Sequence, residues 1–120
     1  MLIKESTEPG VVLGKAFVKA GEALGLRKGE LAEVLGVDPA RISRLGTNAL
    51  KADSKEWEIA TFVVRIARGL HALNNGDQEN TQHFMKTQNR MLQAVPKDEL
   101  KRIDGLVRVL DFVDAMRGKV

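Results

Sequence analysis

The stretch from Lys28 to Leu45, KGELAEVLGVDPARISRL, restricts the fold more than any other part of this chain. Ala32 is small enough to let a second helix cross closely over the first, and Gly36, four residues on, stands where the chain must leave that first helix. The exit calls for a positive φ, which glycine adopts at little steric cost. Asp38-Pro39 is a start signal for a second helix. Aspartate caps free N–H groups, and proline suits the first helical position, where its missing N–H would have had no partner. Ile42 and Leu45 then share one face of a helix running from Pro39 to Leu45. This is the layout of a helix-turn-helix, whose second helix lies in a DNA major groove. An ordinary αα-hairpin shares several of these features; the Asp-Pro start and the ISRL tail favour the DNA-binding arrangement.

The flanking pattern is helical throughout. Residues 1–10 read as frayed, with Pro9-Gly10 as a breaker pair, and a helix begins near Val12 and ends at Gly25. Gly46 to Lys55 is polar and broken, a connection. From Glu56 to about Leu73 apolar residues cover so much of the circumference that the helix should be central and buried. Asn74-Asn75-Gly76-Asp77 ends it. A weakly amphipathic helix is predicted from Glu79 to Leu92, and Pro96-Lys97-Asp98-Glu99 starts another with acids in its first turn. The final helix carries the stripe Ile103, Leu106, Val107, Leu110, Val113 and Met116. No strand with a hairpin partner appears. The expected fold class is all-α: a helix-turn-helix domain with its long linking helix over residues 1–73, then a small helical domain over 74–120.

Composition removes several classes of function. No run approaches the roughly 18 apolar residues of a membrane span, and the N-terminus does not read as a signal peptide. The chain has no cysteine, which excludes disulfides, zinc–thiolate sites and a Cys nucleophile, and fits a cytoplasmic protein. It also has no tyrosine and only two histidines. His71 falls near a helix end, where the dipole favours a cation, and His83 has only Glu79 at metal spacing. GLRKGE lacks the strand and the GK[ST] chemistry of a phosphate loop. We therefore expect no enzyme, no metal and no cofactor.

Charge permits DNA binding without arguing for it. Lys and Arg total 19 against 16 Asp and Glu, a net +3. Around the motif, Arg27, Lys28, Arg41 and Arg44 stand against Glu30, Glu33 and Asp38, so geometry and a homodimer must supply what bulk electrostatics does not. With Ile42 and Leu45 facing inward, Ala40, Ser43 and Arg44 point outward and Arg41 lies on the flank. A guanidinium fork suits guanine or phosphate, and serine does either job more weakly. Lys28, at a helix start, is placed for phosphate. The candidate DNA contacts are Lys28, Ala40, Arg41, Ser43 and Arg44; a solvated helix face is the alternative for the two arginines.

In order, these segments resemble the Xre/MbcA/ParS antitoxins, the inhibitory partners of RES-domain toxins. KAFVKAGEALGLRKGELAEVLGVDPARISRL is similar to the family's Xre-type helix-turn-helix. EWEIATFVVRIARGLHAL resembles its linking helix, with Trp57, Ala60, Val64, Arg65 and Leu70 at matching places. FMKTQNRMLQAVPKDELKRIDGLVRVLDFVDAMRG resembles the toxin-binding domain, with Asn89, Leu92, Pro96 and Gly105 at the family's spacing. The chain departs from the usual pattern in having Phe84 near a common tryptophan, Gln93-Ala94 in place of two glycines, and Arg102 near a common threonine.

The resemblance implies a two-part device without catalysis. The C-terminal domain would cover the active site of an NAD-consuming RES-domain toxin, and the N-terminal domain would bind double-stranded operator DNA and repress its own operon. The polar ridge of Lys86, Thr87, Gln88, Asn89 and Arg90, with the turn from Met91 to Pro96, is the expected partner surface; Lys86, Gln88, Asn89, Arg90 and Pro96 are its candidate contacts. Leu106, Val107 and Leu110 are assigned to the chain's own core. Two other readings stay open: a toxin-independent dimeric regulator, and an interaction protein whose helix-turn-helix no longer binds DNA.

Overall fold

A computed structural model describes residues 8–118. The expectation of fraying over residues 1–7 lies outside that range. Among the described residues seven helices follow one another: α1 (Pro9–Leu24), α2 (Lys28–Leu35), α3 (Pro39–Ser43), α4 (Lys55–Leu73), α5 (Gln78–Lys86), α6 (Pro96–Glu99) and α7 (Ile103–Met116). Among the described residues there is no strand, only an isolated antiparallel bridge between Asn89 and Ala94. None of these helices is long and apolar enough to cross a membrane.

The long helix α4 organises the molecule. The Ser54 hydroxyl accepts the N–H of Trp57 at 3.1 Å, and Glu56 and Glu58 lie in the first turn, where the helix dipole favours them. Ile59, Ala60, Val63, Val64, Ile66, Ala67 and Leu70 are buried around it, as the broad apolar pattern predicts. One side of α4 packs on α1, and another packs on α7. The crossing with α7 is close: a Cβ on Gly69 would come within 2.4 Å of Val113 Cγ1. α4 ends at Leu73. One hydrophobic cluster nevertheless runs from Phe17 and Leu45 through Val63 and Ile66 to Leu106 and Val109. Burial on this scale, at about 25 cal/mol per Å² of apolar surface, is what holds so short a chain folded.

Three sequence expectations need correction. Pro9-Gly10 does not break the chain; it starts α1. Proline serves as the first helical residue, and Gly10 is buried because the Leu50 backbone lies against it, with the Leu50 N–H donating to Gly10 O at 3.2 Å. Next, α5 stops at Lys86, not Leu92, and Thr87 is already extended (φ −111°, ψ 137°). Leu92 must turn inward to be buried, and Arg108 from α7 holds its carbonyl at 2.6 Å, so the helix gives way to a turn. Finally, the apolar stripe of α7 is buried only in its middle. Leu106, Val109, Leu110 and Val113 are inside, whereas Ile103 and Met116 at the ends are more than half exposed. Phe112 instead pairs with Phe84, the rings stacked with centroids 5.9 Å apart.

Candidate functional site

The first candidate surface is the outer face of α2 and α3. Arg27 is extended, and its N–H donates to the Glu30 carboxylate at 3.0 Å, which sets the start of α2 at Lys28. The helix ends where Gly36 takes φ 77° and donates its N–H to Ala32 O at 2.8 Å. Asp38 accepts the Ala40 N–H at 3.1 Å and caps α3. Ile42 and Leu45 are buried beneath the corner, and Ala40, Ser43 and Arg44 face solvent, as the periodicity requires. The second helix is shorter than predicted. It ends at Ser43 because the next N–H groups, of Arg44 and Leu45, bond three residues back to Arg41 O (3.1 Å) and Ile42 O (3.3 Å), tightening the chain into turns.

The two candidate arginines diverge. Arg44 is exposed, and its guanidinium makes no hydrogen bond or ion pair among the described residues. Arg41 turns back on its own chain and donates to Asn48 O (2.9 Å) and Ala49 O (3.3 Å). Its fork closes the corner after α3, a use of the flank position that helical spacing does not reveal. Lys28 is exposed at the first position of α2. Beside it an open groove of about 780 Å³ separates α1 from the motif; Leu26, Leu31 and Ile42 line it, together with Lys15, Lys19, Lys28 and Ser43. Lys15 and Lys19 are surface cations on α1 that the local pattern did not single out; the fold alone brings them alongside Lys28.

The second candidate surface is the turn between α5 and α6. Lys86, Gln88 and Arg90 are exposed. Asn89 is half-buried and occupied: its side chain accepts the Leu92 N–H at 2.9 Å, and its own N–H donates to Ala94 O at 2.9 Å. Pro96 is fully buried at the first position of α6, so it shapes the turn from inside and offers no contact surface, a correction to the expected ridge. Gln93 sits at φ 54°, in the left-handed region. Glycine is the residue that takes this conformation without strain. The sequence ridge is polar; the most exposed large apolar side chain among the described residues, Met91 at 77%, stands in this turn.

Ion pairs tie the two surfaces together. Lys97 of α6 meets the Glu30 carboxylate of α2 at 2.7 Å, and Lys101 meets Glu33 at 3.5 Å. Burial pushes the Glu30 carboxyl up, but the Lys97 ammonium and the Arg27 N–H together outweigh it and hold the group below the ordinary carboxylate value. The carboxylate that starts α2 therefore also binds the helix that follows the α5–α6 turn. Among the described residues, no group of His, Asp and Glu could hold a metal ion.

Both candidate surfaces fall within regions that match known families. The family model described as the antitoxin Xre-like helix-turn-helix domain matches residues 5–65, just over half of the chain. The model described as the antitoxin Xre/MbcA/ParS C-terminal toxin-binding domain matches residues 70–119. No curated protein matches the chain. The two matched regions follow one another in the family's order, and their junction falls inside α4. This chain thus belongs to the Xre family of antitoxins, with a helix-turn-helix module and a toxin-binding domain built around one shared helix.

Proposed function

We propose that this antitoxin blocks an NAD-consuming RES-domain toxin with its C-terminal part and binds operator DNA with its N-terminal part, repressing its own operon. The observation that carries the reading is the pairing of two outward surfaces on one core: the free Arg44 and Ser43 corner within the matched helix-turn-helix, and the built turn within the matched toxin-binding region. The division of labour falls at the 73/74 boundary although the core is continuous across it. Inhibition is steric, the chain carries no catalysis, and the protein works in the cytoplasm as a homodimer, since one short recognition helix reads only a few base pairs.

On the DNA side, Arg44 reads a base or grips a phosphate, Ser43 and Ala40 line the groove wall, and Lys28 takes a phosphate at the start of α2. Arg41 positions this corner rather than reading sequence. On the toxin side, Lys86, Gln88 and Arg90 supply polar contacts around the turn, and Asn89 holds the turn's shape.

The test has two arms. Co-expression with a RES-domain toxin, sought first in the adjacent reading frame, should restore cellular NAD and growth; continued NAD loss, or no such reading frame, would remove the toxin arm and favour a toxin-independent regulator. In an anisotropy titration on promoter DNA, Arg44→Ala should weaken specific binding by about 1–3 kcal/mol, and Lys28→Ala should weaken all sequences alike and flatten the salt dependence. No specific binding by the wild-type chain would remove the DNA arm, and unchanged affinity in a variant would remove that residue from the contact.

A further inference from the structure

The turn between α5 and α6 is built more firmly than a connection requires. Asn89 bonds across it twice, to Ala94 O and from Leu92 N–H. Arg108 reaches from α7 to fix the Leu92 carbonyl at 2.6 Å. Leu92 and Pro96 are buried anchors at its base. Gln93 is held in the left-handed region at φ 54°. Strain of that kind persists only where the surroundings over-determine it, and it concentrates at binding sites. What this frame holds into solvent is Met91, more exposed than Val12, Ile103 or Met116. Arg90 beside it is exposed and forms no ion pair among the described residues.

We propose that Met91 is the central anchor of toxin recognition: it enters an apolar recess of the toxin whose rim offers carboxylate or carbonyl oxygens to Arg90. The proposal rests on the reading of residues 70–119 as toxin-binding, and the turn lies in the middle of that matched region. An apolar side chain ringed by polar ones is the arrangement of an interface hot spot. A rigid turn presents it with little ordering left to lose on binding. Methionine is unbranched and polarisable, so it fills an irregular recess.

Methyl NMR on the full chain tests this directly. The chain has four methionines, and of the described ones Met85 is fully buried while Met91 and Met116 are exposed. With [13C]methyl-methionine label, titration with a RES-domain toxin that the wild-type chain neutralises on co-expression should shift or broaden the Met91 resonance and leave Met116 in place. Met91→Ser should lower toxin affinity about ten- to a hundredfold, with Met91→Leu close to wild type and the thermal midpoint of both unchanged. Binding by the wild-type chain with a stationary Met91 signal, or equal affinity of Met91→Ser, overturns the proposal. So does a Met91 shift that follows antitoxin concentration alone, which would place a second copy on the turn. No binding by the wild-type chain would instead bring down the toxin reading itself, and the proposal with it.

Discussion

Replacing Arg41 by alanine should loosen the corner after α3 before it touches DNA chemistry. The guanidinium donates to two carbonyls, Asn48 O at 2.9 Å and Ala49 O at 3.3 Å, seven and eight residues further on. A hydrogen bond to a charged group contributes about 1.5–3 kcal/mol when well sheltered. Arg41 is only half-buried and the Asn48 bond lies at the surface, so water replaces part of that one when it is lost. The longer, more sheltered bond to Ala49 has no such replacement. Together they set the loss at about 1–2 kcal/mol, which lowers the thermal midpoint of a chain this size by roughly 5 °C or more. Arg41→Lys should recover less than half, because an ammonium is a single point and cannot span both carbonyls as the fork does. Urea and thermal unfolding of the two variants give the stability term, and anisotropy on promoter DNA gives the binding term. Both affinity and stability should fall in Arg41→Ala, with no base position singled out. An Arg41→Ala protein that unfolds at the wild-type midpoint yet loses discrimination at one base pair would refute this reasoning and return Arg41 to the groove.

Two further outcomes follow from the turn and the ion pair. The Glu30 carboxyl titrates below its ordinary value in the folded chain, so its contribution is complete above about pH 5 and is lost as pH falls through the folded value. Glu30→Gln should therefore shrink the loss of urea stability between neutral pH and about pH 3.5; an acid limb as steep as the wild type's would show that the Lys97 pairing contributes nothing. Gln93→Gly should stabilise the chain by about 0.5 kcal/mol, since relief of the left-handed backbone exceeds the added freedom of the unfolded chain. A lower unfolding midpoint in that variant would mean that the Gln93 side chain makes up for its own strain.

Much of the helix-turn-helix could be read from Gly36, Asp38, Ile42 and Leu45. Each of those residues acts on its own few neighbours: a positive φ, a cap, a buried face. The same holds for α4, whose apolar breadth announced its central place. What spacing did not show depends on contacts distant in the chain. Periodicity puts Arg41 on the flank of α3 but does not show that its fork reaches carbonyls seven and eight residues on. Helical spacing carried α5 through Leu92, yet Arg108, sixteen residues on, holds that carbonyl outside any helix. Pro96 stands at the family's spacing beside a polar ridge, and packing puts it inside.

From the sequence alone came the all-α class, the helix-turn-helix and its outward Arg44, because caps, glycines and apolar periods act through bonds and contacts within a turn or two. The tertiary structure decided which cations are free, where α5 ends and which side chain the toxin-binding region holds out. Those depend on donors and acceptors far apart in the chain, and only the packing of α1 and α7 around α4 brings such groups within hydrogen-bonding distance.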